Sequence, residues 1–207
     1  DVIVGAYAYD NGQTNEGAAF VYHGSAAGIN TSVAATVESN QAGAQLGVSV
    51  ASAGDVNGDG YSDVIVGANQ YDNGQSAEGA AFVYHGSAAG INTAAAATVE
   101  SNQAGAQMGV SVASAGDVNG DGYNAVIVGA NQYDNGQSTE GAAYVYHASA
   151  TGINTTAAAT VESNQAIANM GISVASAGDG NGDGYSDVIV GVYAYDNGQA
   201  DEGAAFV

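Results

Sequence analysis

Three stretches of the chain concentrate the residue types that hold a hard cation. Asp55-Val-Asn57-Gly-Asp59-Gly60-Tyr61-Ser-Asp63 sets oxygen-bearing side chains at alternate positions, with glycine sixth. The pattern returns as Asp117-Val-Asn119-Gly-Asp121-Gly122-Tyr123-Asn-Ala125 and as Asp179-Gly-Asn181-Gly-Asp183-Gly184-Tyr185-Ser-Asp187. Alternating carboxylate and carboxamide oxygens are a donor set for calcium, and the sixth glycine allows the sharp turn between them. The expected ligands are Asp55, Asn57, Asp59, the Tyr61 carbonyl and Asp63. In the third stretch they are Asp179, Asn181, Asp183, the Tyr185 carbonyl and Asp187. The second stretch offers Asp117, Asn119, Asp121 and the Tyr123 carbonyl, but Ala125 stands where the closing carboxylate belongs, so weaker binding is expected there. Asp1 occupies that closing position of a further copy. The metal's expected role is structural.

Composition narrows the function classes. The chain has 207 residues, 21 acidic side chains and no Lys or Arg, for a formal net charge of −21. Nothing can neutralise nucleic-acid phosphates, so a nucleic-acid partner is excluded, and an anionic membrane surface is disfavoured. Repulsion must be relieved by spacing or by bound cations; nine of the 21 acids, Asp1 included, lie in the acidic stretches. Cys is absent, which removes disulfide and thiol chemistry. No apolar run reaches the roughly 18 residues of a membrane span, so membrane insertion is not expected. Calcium loops of this kind work at millimolar calcium, which points to an extracellular or cell-surface setting.

Other recurring residues carry weaker chemical signals. His23, His85 and His147 share one repeat position, as do Glu16, Glu78, Glu140 and Glu202. The histidines are expected to pack as strand-end residues, and the glutamates to be solvated turn residues. No nucleophile–base pair accompanies them, so the chain is not expected to be an enzyme. Asn30-Thr-Ser and Asn154-Thr-Thr match the N-glycosylation pattern, which makes glycan at Asn30 and Asn154 a possible partner chemistry. Tyr9, Tyr71, Tyr133 and Tyr195, and likewise Tyr22, Tyr84 and Tyr146, recur at fixed positions and are expected to stack between adjacent sheets.

The elements that must position these residues repeat with them. Residues 1–62, 63–124 and 125–186 align without a gap, and 187–207 begin a fourth copy. The first and second copies share 54 of 62 residues, so each sits in nearly the same environment. Within one copy, Asp63–Ala68 is a β-branched run, Asn73-Gly74 a hairpin turn, and Ala80–His85 a second strand. Ser87–Asn92 is a turn, Ala97–Glu100 a third strand and Val110–Ser114 an alternating fourth. The spacing predicts an all-β chain of tandem four-stranded antiparallel sheets with no helix. One such sheet cannot bury both faces, so successive sheets must stack, with the acidic stretch as the joint between them. With Asp1 at the closing position of a loop and Val207 inside an apolar strand, the chain is expected to be an excerpt of a longer array.

These features resemble the FG-GAP repeat of integrin α-subunit propellers and their bacterial relatives. Leu46-Gly47, Met108-Gly109 and Met170-Gly171 stand at the "FG" position; Gly5-Ala6, Gly67-Ala68 and Gly129-Ala130 stand at "GA". The stretch from Gly79 through Gly90 is similar to the family's second and third strands. The likeness covers essentially the whole chain. It implies one four-stranded propeller blade per repeat, with calcium in the loop between the last strand of one motif and the first of the next. The family's Pro is replaced by Tyr7, Asn69, Asn131 and Tyr193, and Gly191-Val192 replaces Gly-Ala.

Two functional readings follow. Near-identical copies favour a structural calcium-binding array, self-associating into a filament, fibre or surface appendage with the sheets stacked as an open superhelix. The alternative is part of a closed integrin-like β-propeller, a module for adhesion that recognises a protein or a glycan.

Overall fold

The computed structural model describes all of residues 1–207. It contains strands, turns and no helix. In chain order, β1 (Val2–Ala6), β2 (Ala18–Tyr22) and β5 (Ala35–Glu38) make a three-stranded sheet, with a small ribbon of β3 (Gly24–Ser25) and β4 (Gly28–Ile29) between β2 and β5. The second sheet is β6 (Ser49–Gly54), β7 (Asp63–Ala68), β8 (Ala80–Tyr84) and β9 (Ala97–Glu100). The third is β10 (Met108–Gly116), β11 (Ala125–Ala130), β12 (Ala142–Tyr146) and β15 (Ala159–Glu162), with a second ribbon of β13 (Ala148–Ser149) and β14 (Gly152–Ile153). The fourth is β16 (Met170–Gly178), β17 (Asp187–Val192) and β18 (Ala204–Phe206). All pairings within these sheets are antiparallel, as the short alternating runs and Asn-Gly turns require.

The register corrects one expectation. Ser52 pairs with Val64 and Gly54 with Asp63, so the acidic stretch is the hairpin loop between β6 and β7 of one sheet. It is not the connection between sheets; residues 101–107, between β9 and β10, make that connection. A sequence repeat can be cut at any residue of its period, so the period alone did not say which strands pair.

The unbroken Val64-Ile65-Val66 run makes sense once the neighbours are in place. Successive side chains leave opposite faces of a strand. Val64 and Val66 pack back on Ala19, Val37 and Leu46, while Ile65 joins Val112, Val126 and Val128 of the third sheet. All six residues of β7 and of β11 are buried. Each sheet-to-sheet contact has its own apolar cluster, the largest holding 16 buried residues between the second and third sheets.

Glycine sets the spacing of that contact. A Cβ on Gly67 would lie 1.9 Å from the Gly109 carbonyl oxygen, and one on Gly129 would lie 1.9 Å from that of Gly171. The two halves of the repeat motif are therefore the places where one sheet's backbone touches the next. Parallel bridges Gly17 to Leu46, Gly79 to Met108 and Gly141 to Met170 fix the same junction. At the end of the sheets remote from the acidic loops, Gln41 donates to the Asp72 carbonyl and accepts from the Asp72 N–H, both at 2.7 Å. Gln103 repeats this with Asp134. The first strands β6, β10 and β16 lie side by side, and Ser49 Oγ and Ser111 Oγ accept N–H bonds from Val112 and Val174. This is the arrangement of propeller blades gathered about a common axis.

Tyr84 and Tyr146 are buried in the apolar clusters between adjacent sheets, whereas the other recurring set makes its ring contacts differently from expectation. Tyr71 meets Phe82 edge-on, with centroids 5.3 Å apart, inside one sheet, and Tyr9–Phe20, Tyr133–Tyr144 and Tyr195–Phe206 do the same. Edge-to-face contact between a turn tyrosine and the neighbouring strand satisfies the ring quadrupoles better than a face-to-face sandwich. Burial in the apolar layer drives the Tyr144 and Tyr146 hydroxyls well above the ordinary phenolic range.

Candidate metal centre

The three acidic loops fold alike at one end of the sheets. Asp55 Oδ1 accepts the N–H groups of Gly58 at 2.7 Å and Asp59 at 3.1 Å, and its Oδ2 accepts that of Gly60 at 2.9 Å. The Asn57 carboxamide oxygen accepts the same Asp59 N–H at 3.1 Å. Two of the expected ligand oxygens therefore converge on one backbone nitrogen. Asn57 Nδ2 donates to Asp59 Oδ2, and the Tyr61 N–H donates to Asp59 Oδ1. The loops built on Asp117, Asn119 and Asp121, and on Asp179, Asn181 and Asp183, repeat each of these bonds. Glycines at the fourth and sixth positions, with φ near +73° and +87° at Gly58 and Gly60, make this curl possible.

Asp63 stands apart from the rest of its loop. It is fully buried; its Oδ2 accepts the Val56 N–H at 2.8 Å and its Oδ1 the Gly86 N–H at 2.7 Å. Burial pushes its carboxyl upward, the two N–H groups and His85 pull it down, and the nearby Asp59 charge pushes it up again; the net shift is upward. Asp117 shows the opposite balance. Desolvation raises its carboxyl, but four N–H groups, led by Gly122 and Gly120, hold it below the ordinary carboxylate range.

Neighbouring loops touch. A Cβ on Gly58 would meet the Tyr123 ring at 2.6 Å, and one on Gly120 would meet the Tyr185 ring at 2.7 Å. The Asp55 carbonyl accepts the Asn124 N–H at 3.1 Å, and the Asp117 carbonyl accepts that of Ser186 at 2.9 Å. The Asp55 N–H in turn donates to Asn124 Oδ1. The idea of a joint is thus recovered in another form: each loop is a hairpin within its sheet, and its seventh and eighth residues lock onto the preceding loop.

No group of three or more Asp, Glu or His side chains converges in this structure as metal ligands do. The donor chemistry nevertheless fits a hard divalent cation. Asp55 and Asn57 oxygens already share one direction, Asp59 lies close enough to Asp63 to raise it, and no Lys or Arg exists to offset the charge. Asp55, Asn57, Asp59, Asp63 and the Tyr61 carbonyl would hold the ion, with Asp179, Asn181, Asp183, Asp187 and the Tyr185 carbonyl doing so in the third loop. Bound there, the ion would supply two positive charges against three carboxylates, with one carboxamide and one backbone carbonyl oxygen completing the set. Asp1 joins no such group: its carboxylate meets the Gly24 N–H at 2.8 Å and His23 at 3.2 Å.

Glu16, Glu78 and Glu140 overturn the expectation of solvated turn residues. Each is fully buried beneath its hairpin. Glu78 Oε1 accepts the Asn73 N–H at 2.5 Å, while Oε2 has no partner; Glu16 and Glu140 share this pattern. The hairpin turn leaves inward-facing N–H groups that an acid can cap, and that need outweighs the preference for water. The one sequence signal was an acid recurring immediately before a positive-φ glycine in an Ala-rich run. His85 packs as expected, with Nε2 buried against the position of Gly152. Asn30 and Asn154 are exposed, each carboxamide oxygen accepting the N–H of Ser32 or Thr156.

The FG-GAP repeat family model matches residues 46–84 and 108–146, which span the second and third sheets from the first strand through the third. Integrin alpha-6 of Gallus gallus is 35% identical over 142 residues, 66% of this chain and 12% of that protein. Integrin alpha pat-2 of Caenorhabditis briggsae is 38% identical over 122 residues, 57% of this chain and 10% of its own length. Integrin alpha-V of Gallus gallus is 30% identical over 179 residues, 82% of this chain and 17% of that protein. The chain therefore spans between about a tenth and a sixth of the curated relatives it matches.

Proposed function

We propose that this chain, whose second and third sheets match the FG-GAP repeat, belongs to an extracellular, integrin α-like binding module whose blades are tied together by calcium. The loop-to-loop lock carries the reading: Tyr123 covers Gly58 and Asn124 binds Asp55, so an ion that stiffens one loop also stiffens its contact with the next blade. The acidic loops and the turns after β2, β8 and β12 share one end of the sheets, the end that would face a protein or glycan partner. Glycan on Asn30 and Asn154 would lie on exposed turns at that end. A cell-surface setting supplies the calcium these loops need.

A second reading, a structural fibre formed by self-association, is favoured by the near-identity of the copies: a contact that repeats without closing extends indefinitely. Electron microscopy of the material in calcium and after chelation separates the two. Closed rings support the binding module, and filaments repeating at one 62-residue unit sink it. Unchanged thermal stability after chelation would refute the calcium role in either form.

A further inference from the structure

Ala125 is not an isolated loss. In the second sheet Asp63 bonds the Gly86 N–H, and in the first Asp1 bonds that of Gly24. In the third sheet both members of the pair differ: Ala125 replaces the acid and Ala148 replaces the glycine. The structure gives a reason for the double change. A Cβ on Gly86 would stand 2.3 Å from the Ser62 carbonyl oxygen, so the clamp that Asp63 makes draws the turn after β8 against the loop until only glycine fits. Ala148 carries that Cβ, so its backbone cannot approach the Asn124 carbonyl oxygen as closely as Gly86 approaches that of Ser62. Both alanines are buried, at 2% and 7% exposure, so the vacated space is filled rather than wetted.

We propose that residues 125 and 148 act as one coupled unit that sets the grip between an acidic loop and the segment that leaves its sheet's third strand, and that the third sheet's loop is the released one. The same coupling sets metal affinity, and in this it rests on the calcium reading given above. The Gly86 and Val56 N–H groups hold the closing carboxylate of the loop in place, and such supporting bonds contribute roughly 10- to 100-fold to metal affinity. Ala125→Asp alone would return a carboxylate to a buried position with Ala148 held too far to clamp it. Ala148 is thus a positioning residue for the loop, and its identity decides what a carboxylate at position 125 can do.

The test compares the unaltered chain with A125D, A148G and A125D/A148G, by calcium titration calorimetry and by melting in chelator. In calcium, the double variant is expected to gain a tight binding event beyond those of the unaltered chain. A125D alone is expected to gain one roughly 10- to 100-fold weaker. In chelator, the double variant is expected to melt higher than the sum of the single shifts implies, because the clamp forms without metal. Additive shifts in chelator, or a third event equally tight in A125D alone, would overturn the coupling. If no protein titrates calcium but the shifts in chelator are non-additive, the calcium reading fails and the clamp stands.

Discussion

Gly67→Ala tests the physical basis of the repeat contact most directly. Gly67 has ordinary backbone geometry, so a methyl group there costs nothing in φ; at a permissive site such a change stabilises by about 0.4–1 kcal/mol through the unfolded chain. Here the added Cβ would lie 1.9 Å from the Gly109 carbonyl oxygen and 2.8 Å from its carbon. Ordinary contact begins near 3.4 Å, so the second and third sheets must part by more than 1 Å at that point. A gap of ~0.5–1 Å already forfeits a quarter to a half of each dispersion well, and the 16-residue cluster between these sheets would feel it. Overpacking of this kind costs about 1–3 kcal/mol and occasionally more, and the backbone-to-backbone clash places Gly67→Ala at about 3 kcal/mol. With a urea dependence of about 2 kcal/mol/M, the unfolding midpoint falls by about 1.5 M. Gly74→Ala is the control: a Cβ there meets nothing within 4 Å, and only its φ of +97° is strained, which costs about 1 kcal/mol. Urea titration by circular dichroism at fixed calcium reads both. A Gly67→Ala midpoint equal to or above that of the unaltered protein would refute the close-approach explanation of the motif.

Further expectations concern other parts of the fold. Glu78→Gln keeps the oxygen that caps Asn73 and is expected to cost less than about 1 kcal/mol, whereas Glu78→Ala is expected to lose about 2–4 kcal/mol; thermal unfolding distinguishes them. Gln103→Ala removes both bonds to the Asp134 backbone and should speed hydrogen exchange at the Asp134 amide without changing the acidic loops; unaltered exchange would discount the clamp. Asp117 is held below its ordinary value in the folded protein, so its share of stability is present above that value and is lost as pH falls through the lowered one. Carboxyl NMR in chelator should find its midpoint below about 3.9, and a midpoint above that contradicts the bonding described for its loop. Calcium at about 100 times its dissociation constant should stabilise by about 2.7 kcal/mol per occupied loop, read as a calorimetric shift on adding chelator.

Much of this was legible in the residues themselves. The fixed period, the alternating apolar strands and the Asn-Gly turns determined an all-β array of like units, because side-chain alternation and turn chemistry act over a few residues. The donor pattern of the acidic loops was equally local: Asp55, Asn57 and Asp59 are brought together by the curl of their own backbone. Which strands share a sheet was not local, since the period has no marked beginning, and only the pairing of Gly54 with Asp63 placed the loop inside a sheet. Nor could sequence say that Glu78 is buried, that Tyr123 covers the neighbouring loop, or that Asp63 reaches across 23 residues to Gly86. Those facts depend on how closely one layer approaches the next. That distance is set by glycine backbones meeting across the interface, a property of two sheets together that neither repeat carries alone.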